Sequence, residues 1–468
     1  MTDIAEFDLE HAGAPVSGHG FEAWIAEIRE LLKLAGPLIL TQLAQMAIGV
    51  TDTTMLARYS TTALDGAVLG NTMFYFCWIL GSGPSAAVSP MIAQILGADP
   101  GNMRDVRTVA RMGFWSVAMI SAPLMVFLWS AKPLLILFGQ SPELAEAASR
   151  FVVPLSFGLP FSLGFQVLRN YSTALSKPNA SLIVVVLAVG FNALLDYGLI
   201  FGHFGLPRLG LTGSGIASAS SFAFTFLTML GVVRLTPKLH RYRIFVDALK
   251  PAWGKLREIY VLGLPIGLTM LFESTLFFSS NFIMGYLGKE VLAAHIVSLN
   301  IPSVTFMVPL GVAMAATVRV GLAAGAHDGE AVRRAGWSAI GVAGVFMLFC
   351  AALLASFPFE IAALILPATA ANMPALMLAV TFLHVAAAFQ LFDGIQVAAA
   401  LSLRGLKDAR APMWIAGASY WLGGFPACIL LGFGLGMKGF GIWIGLAFGL
   451  FVAAVLLCWR FWWLSRAR

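Results

Sequence analysis

The sequence predicts an all-α polytopic membrane protein of about twelve transmembrane helices, arranged as two six-helix bundles related by a parallel repeat. Three observations predict it. The composition is 59% apolar and 11% charged, whereas soluble globular chains hold about 45–50% and about 25%. Apolar runs long enough to cross about 30 Å of hydrocarbon recur throughout the 468 residues. Segments of the first half return 226–228 positions later, as set out below. With a mean hydropathy of +0.85, these features exclude a water-soluble enzyme of ordinary composition. No ten-residue alternating pattern of a barrel strand appears.

In chain order, helices are expected near 31–57, 66–97, 109–130, 149–175, 180–202 and 213–235, then near 258–287, 291–325, 336–357, 373–403, 411–437 and 438–463. The first carries Gln42, Gln45, Gly49 and Asp52 at three- and four-residue steps, which places them on one face. The second, third, fourth, eighth and eleventh contain internal prolines (Pro84 and Pro90, Pro123, Pro160, Pro302 and Pro309, Pro426), tolerated in membrane bundles where neighbours satisfy the freed backbone. The fifth holds Asn192 and Asp196 and the sixth opens at Ser214. The seventh holds Thr269, Glu273 and Ser280, and the tenth Gln390, Asp393 and Gln396. Trp459, Trp462 and Trp463 place the end of the last helix in an interfacial belt.

The longest polar connection, 236–257, divides these runs six and six. The expected organisation is a cytoplasmic tail at 1–25, an N-terminal lobe at 26–235, a cytoplasmic linker at 236–257, a C-terminal lobe at 258–463 and a short tail at 464–468. A slide of 228 positions sets Leu34, Pro37, Leu40, Thr41 and Leu43 on Leu262, Pro265, Leu268, Thr269 and Leu271; a slide of 226 sets Gly213, Gly215 and Ile216 on Gly439, Gly441 and Ile442. Six helices per half keep both halves in one orientation, with a cleft expected between them. Of the 29 lysines and arginines, all but Arg58, Lys132, Arg150, Arg208, Lys289 and Lys438 fall on one side, so that side and both termini are expected to be cytoplasmic. This distribution accounts for the net charge of +6 without a nucleic-acid partner. Residues 1–20 lack a basic segment followed by an apolar one, so a disordered tail and no cleaved signal peptide are expected.

An ionisable group at the bilayer centre costs about 2.5–3.5 kcal/mol on insertion scales, so each one there is a candidate functional residue. Asp52, Asp196, Glu273 and Asp393 qualify. Asn192 and Asp196, four apart, stack a carboxylate on an amide oxygen and could hold a hard cation such as sodium opposite Asp52, with Ser214 a further oxygen. Any of these acids could instead bind a proton reversibly. Gln42, Gln45, Thr269, Ser280, Gln390 and Gln396 are expected to line the cleft; the plainer alternative is a polar seam between helices. Under the repeat Glu273 falls on Gln45 and Asp52 on Ser280, so the halves share a scaffold but not their acids. His295 and His384 could join a proton relay or serve only as packed, hydrogen-bonded groups. Arg169 and Arg319 are expected to snorkel to the cytoplasmic interface. Cys77, Cys350, Cys428 and Cys458 lie in apolar runs without ligand-like spacing, which argues against a disulfide framework or a metal centre. No H-E-x-x-H, G-x-S-x-G or P-loop pattern occurs, so neither catalysis nor direct nucleotide drive is expected, and no cofactor.

Over roughly residues 25–463 the chain resembles the multidrug and toxic compound extrusion (MATE) family, in particular its bacterial NorM-like branch. The resemblance rests on Gly36 through Leu40 followed by Thr51 through Met55, on Gly263 through Gly267 followed by Phe272, Glu273 and Ser274, on Asp393 ahead of Leu403 through Asp408, and on Asn192 and Asp196 ahead of Gly213, Ser214 and Gly215. It implies a two-lobed antiporter that expels amphipathic, often cationic drugs in exchange for sodium or protons; a monomer in the bacterial inner membrane is expected. It assigns Asp52, Asn192 and Asp196 to a cation site of the N-terminal lobe, and Glu273 and Asp393 to the acids of the C-terminal lobe. Ala57 stands where the family commonly has glycine, and Asp196 where NorM-like members often carry asparagine. The alternatives are a flippase or exporter of lipid-linked precursors with a similar helical plan, a major-facilitator transporter, an intramembrane hydrolase, and a non-transporting subunit of a complex.

Overall fold

The computed structural model describes residues 20–467, so most of the expected acidic tail lies outside the described residues. The chain folds into helices α1 (Phe21–Tyr59), α2 (Thr61–Ala98), α3 (Met103–Trp129), α4 (Ala131–Leu137), α5 (Pro142–Ser156), α6 (Leu159–Ala174), α7 (Asn179–Phe201), α8 (Leu211–Leu235) and α9 (Pro237–His240). After the linker come α10 (Trp253–Leu287), α11 (Lys289–Gly325), α12 (Gly329–Ser356), α13 (Pro358–Ile365), α14 (Met373–Gly405), α15 (Arg410–Gly434) and α16 (Lys438–Arg466). Among the described residues eleven helices are long and apolar enough to cross a bilayer, and α5 with α6 makes a twelfth span bent by 46°. Pro154 and Pro160 flank that bend, where the helical ladder lacks their N–H groups. Gly158 sits between them because a Cβ there would lie 2.7 Å from the Phe222 ring and 2.9 Å from the Ala219 backbone.

Helix α1 starts ten residues before the apolar run that announces it. Its extra turns are amphipathic: Ala23, Glu27, Leu31, Leu34, Ala35 and Leu38 are buried at helical spacing. Hydropathy detects lipid-facing surface and overlooks turns that pack on protein. In the other direction, α15 is interrupted by π-helical turns at Ala418–Gly424 and Leu430–Gly434, around Pro426.

The chain divides into two compact units. Among the described residues one comprises 20–39, 97–99 and 268–467, the other 40–96 and 100–267. The boundaries at Ile39/Leu40 and Gly267/Leu268 fall within α1 and α10, separated by the repeat offset of 228 and each two residues beyond a proline, Pro37 and Pro265.

In the first unit Trp443, Phe382, Phe389 and Phe461 fill a core between α11, α12, α14 and α16. Leu31, Leu34, Ala35 and Leu38 of α1 pack on Val312, Ala315, Ala316 and Ala339. There the Glu27 carboxylate takes two bonds from Arg319, Nε to Oε1 at 2.8 Å and Nη2 to Oε2 at 2.7 Å. Arg319 therefore does not snorkel: it is 3% exposed, held inward by a carboxylate that the pre-apolar turns of α1 supply.

In the second unit the linker is fastened rather than loose. Arg107 Nε donates to Tyr242 O at 2.8 Å, Trp115 Nε1 to Ala248 O at 2.9 Å and Tyr171 Oη to Leu239 O at 2.7 Å. Lys250 bonds Asp247 at 2.8 Å and holds that carboxyl below its usual range. Helices α2 and α10 touch backbone to backbone at Gly83, where a Cβ would meet Gly263 O at 2.3 Å.

Candidate functional site

The second unit gathers Asp52 from α1, Asn192 and Asp196 from α7, and Ser214 and Ser218 from α8. Spacing explains the convergence: 192 and 196, like 214 and 218, are one helical turn apart and share a face. Asp52 Oδ2 accepts a bond from Ser218 Oγ at 3.1 Å. The Asp52 carboxyl also faces Asp196 and Asn192, and Asp196 is flanked by Asn192 and Ser214. These approaches are not aligned as hydrogen bonds: Asp52 Oδ1, both Asp196 oxygens, both Asn192 polar atoms and Ser214 Oγ are buried without a partner. Asn192, Asp196 and Ser214 are all 0% exposed, so Asp196 is not a solvated helix end. Five buried oxygens, two carboxyls among them, suit a hard cation or a proton; two carboxylates this close repel unless a positive particle lies between them. Among the described residues there is no cluster of three or more His, Cys, Asp or Glu side chains fit for a transition metal.

Asp52 also lines a cavity of about 390 Å³ within this unit. Its polar wall includes Gln45, Asn71, Ser162, Ser218 and Thr225, and its aromatic wall Phe74, Tyr75, Trp78, Phe165 and Phe222. Phe74 stacks on Phe222 with centroids 5.8 Å apart, and Trp78 Nε1 donates to Ser162 Oγ at 2.7 Å, so both rings are held in place. An apolar pocket with a few fixed polar groups suits an amphipathic ligand. Gln45 lines this cavity, while Gln42 is partly buried beside it on α1. Both amide oxygens accept from Arg169 Nη1 of α6, at 2.9 Å for Gln42 and 3.1 Å for Gln45. Arg169 is 6% exposed, so the second expected snorkelling side chain also turns inward.

The first unit brings Glu273 of α10 to Asp393 and Gln396 of α14. Gln396 Nε2 donates to Glu273 Oε1 at 3.0 Å and to Asp393 Oδ1 at 3.3 Å, and Tyr420 Oη of α15 donates to Gln396 Oε1 at 3.1 Å. Gln390 belongs to a different contact, accepting from Thr305 Oγ1 of α11 at 3.1 Å. Ser280 pairs with His295 instead of Glu273, at 3.1 Å between Oγ and Nε2. Thr269 lies partly buried one turn before Glu273. His384 Nδ1 contacts only the Val380 carbonyl of its own helix among the contacts described, at 2.8 Å, and is exposed.

Ser218 and Tyr420 escaped the sequence reading. Ser218 was within reach of it, one turn beyond Ser214; Tyr420 sits in a π-helical turn, where the 3.6-residue period gives the wrong face.

A family model, MatE, matches residues 37–198 and 265–430. A protein of Brucella suis described as a probable multidrug resistance protein NorM is 41% identical over 440 residues, 93% of each chain. One of Mesorhizobium japonicum with the same description is 42% identical over 447 residues, 95% of each. Among solved structures, the eukaryotic MATE transporter AtDTX14 superposes with a TM-score of 0.84 at 21% identity, covering 95% of this chain and 98% of its own. A multidrug resistance MATE transporter in an outward-facing conformation superposes at 0.83 and 20% identity. Two matched segments placed one in each half, and two-fifths identity over nearly full length, agree with the helical plan: the chain belongs to the MatE family of membrane transporters, in its NorM-like branch.

Proposed function

We propose that this protein is a multidrug efflux antiporter of the bacterial inner membrane, with both termini cytoplasmic, driven by sodium or protons entering as an amphipathic, often cationic substrate leaves. One observation carries the reading: Asp52 belongs both to the cluster with Asp196 and Asn192 and to the wall of the aromatic cavity. A cation held at Asp52 and a substrate in the cavity therefore act on one carboxylate, and each weakens the hold on the other. Glu273 and Asp393, bridged by Gln396, supply a second acidic pair. A bound particle shifts such a protein between inward- and outward-open states only by its differential affinity for them.

The test is efflux of ethidium from proteoliposomes under sodium-only and proton-only gradients, for the wild type and Asp52→Asn. Transport under one gradient or both, lost in Asp52→Asn while the protein remains in the membrane, is the expected result. Equal efflux with no gradient, or full activity in Asp52→Asn, would refute the coupling.

A further inference from the structure

Arg169 is a buried guanidinium whose neighbours are neutral. Its Nη1 bonds the amide oxygens of Gln42 and Gln45, its Nε has no partner, and among the described residues no carboxylate pairs with it. Other arginines make the contrast: Arg319 is matched by Glu27, Arg460 by Asp408 and the exposed Arg150 by Glu146. A cation kept inside a membrane protein without a counter-charge is a functional candidate, and its partner is the thing to identify.

Position supplies that partner. Gln45 is part of the cavity wall, so Arg169 stands one side chain behind it. Asp52 lines the same cavity seven residues further along α1, about 10 Å along the helix axis at 1.5 Å per residue. Phe74, Tyr75, Trp78, Phe165 and Phe222 line the same cavity. The cavity thus holds a carboxylate and aromatic walls, and a guanidinium lies behind the Gln45 part of its wall, bonded to two amides. The other half of the chain differs in sign. Glu273, the repeat counterpart of Gln45, also accepts a bond from the fourth helix of its half, but there the acceptor is an acid and the donor, Gln396, is a neutral amide.

We infer that Arg169 is a specificity-determining residue that receives the carboxylate of an aromatic, zwitterionic substrate whose cationic end lies toward Asp52. The inference rests on the efflux function proposed above. A carboxylate entering at Gln45 displaces an amide oxygen from Nη1 and takes two parallel N–H donors of the guanidinium, a geometry a glutamine oxygen cannot match. Gln42 and Gln45 satisfy part of the guanidinium when a substrate without a carboxylate is carried.

Rhodamine 110 and its methyl ester, rhodamine 123, differ at the carboxylate alone. The readout is the ratio of their initial efflux rates from proteoliposomes holding equal amounts of protein. The ratio of acid to ester is expected to fall about tenfold or more in Arg169→Gln, the worth of one charge-assisted hydrogen bond. Gln42→Glu, which sets a carboxylate of the protein against Arg169, should lower the ratio likewise, and it tests the inference if Arg169→Gln fails to fold. An unchanged ratio in the folded variants overturns the inference, including the case in which both dyes slow together. A wild type that moves the ester but not the acid overturns it and leaves the efflux function standing. A wild type that moves neither dye overturns the inference, and ethidium efflux measured in the same proteoliposomes decides whether the efflux function falls with it.

Discussion

Replacing Glu27 by Ala should destabilise the protein far more than loss of one side chain from a helix end would suggest. The pair it forms with Arg319 is bidentate, 2.7–2.8 Å long, and exposed by only 2% at Arg319 and 1% at Glu27. At 2.7 Å and an effective dielectric constant of about 20, the gross attraction is about 6 kcal/mol. Much of that offsets the desolvation of two ions. What Glu27→Ala exposes is the remainder, a buried guanidinium with its Glu27 carboxylate gone; breaking such a pair costs about 3–5 kcal/mol. Replacing both partners by Met removes the desolvation penalty with the attraction and should return stability to within about 1 kcal/mol of wild type, or above it. The assay is a double-mutant cycle on Glu27→Met and Arg319→Met, read by equilibrium unfolding in mixed detergent micelles. A double variant as unstable as the sum of the singles would refute the argument, because the two side chains would then act independently.

Two further outcomes follow from contacts elsewhere. Gly83→Ala should cost about 1–3 kcal/mol through overpacking, since the added Cβ would press on the Gly263 carbonyl at 2.3 Å; a lowered unfolding midpoint in detergent checks it, and an unchanged midpoint would show that α2 and α10 can separate freely. Tyr420→Phe removes one donor from Gln396 without touching either acid, worth about 0.5–1.5 kcal/mol, so the driving-ion concentration for half-maximal efflux should shift by about two- to tenfold.

The helical plan was legible because crossing a bilayer imposes one requirement on every span, a long apolar run, and that requirement is local. Asp52, Asn192 and Asp196 were legible for a related reason: polar atoms are so costly in hydrocarbon that each one left there stands out singly. Partnership was not legible. Ser280 shares a helix face with Glu273, yet it bonds His295, because a face of α10 is wide enough to meet two different neighbours. Arg169 and Arg319 both lie near helix ends where a long side chain could reach the interface. Each finds its partner far away in the chain, at Gln42 and Gln45 or at Glu27, and no periodicity carries that information.

The repeat sharpens the point, since it matches the helices of the two halves by order while the chemistry changes. Position 45 of the first half and its counterpart 273 each accept a hydrogen bond from the fourth helix of their own half, so the contact survives duplication. Its charge does not: one contact pairs a guanidinium with an amide, the other an amide with a carboxylate. Position 52 and its counterpart 280 diverge as well, the first joining a cluster of carboxyls and the second a serine–histidine pair. A scaffold that requires only a polar contact at these places, of whichever sign, leaves each half free to specialise. Both halves keep a pair of acids, but only the first also keeps a guanidinium behind its cavity wall, which on the inference drawn above suits that half to a ligand with two charges.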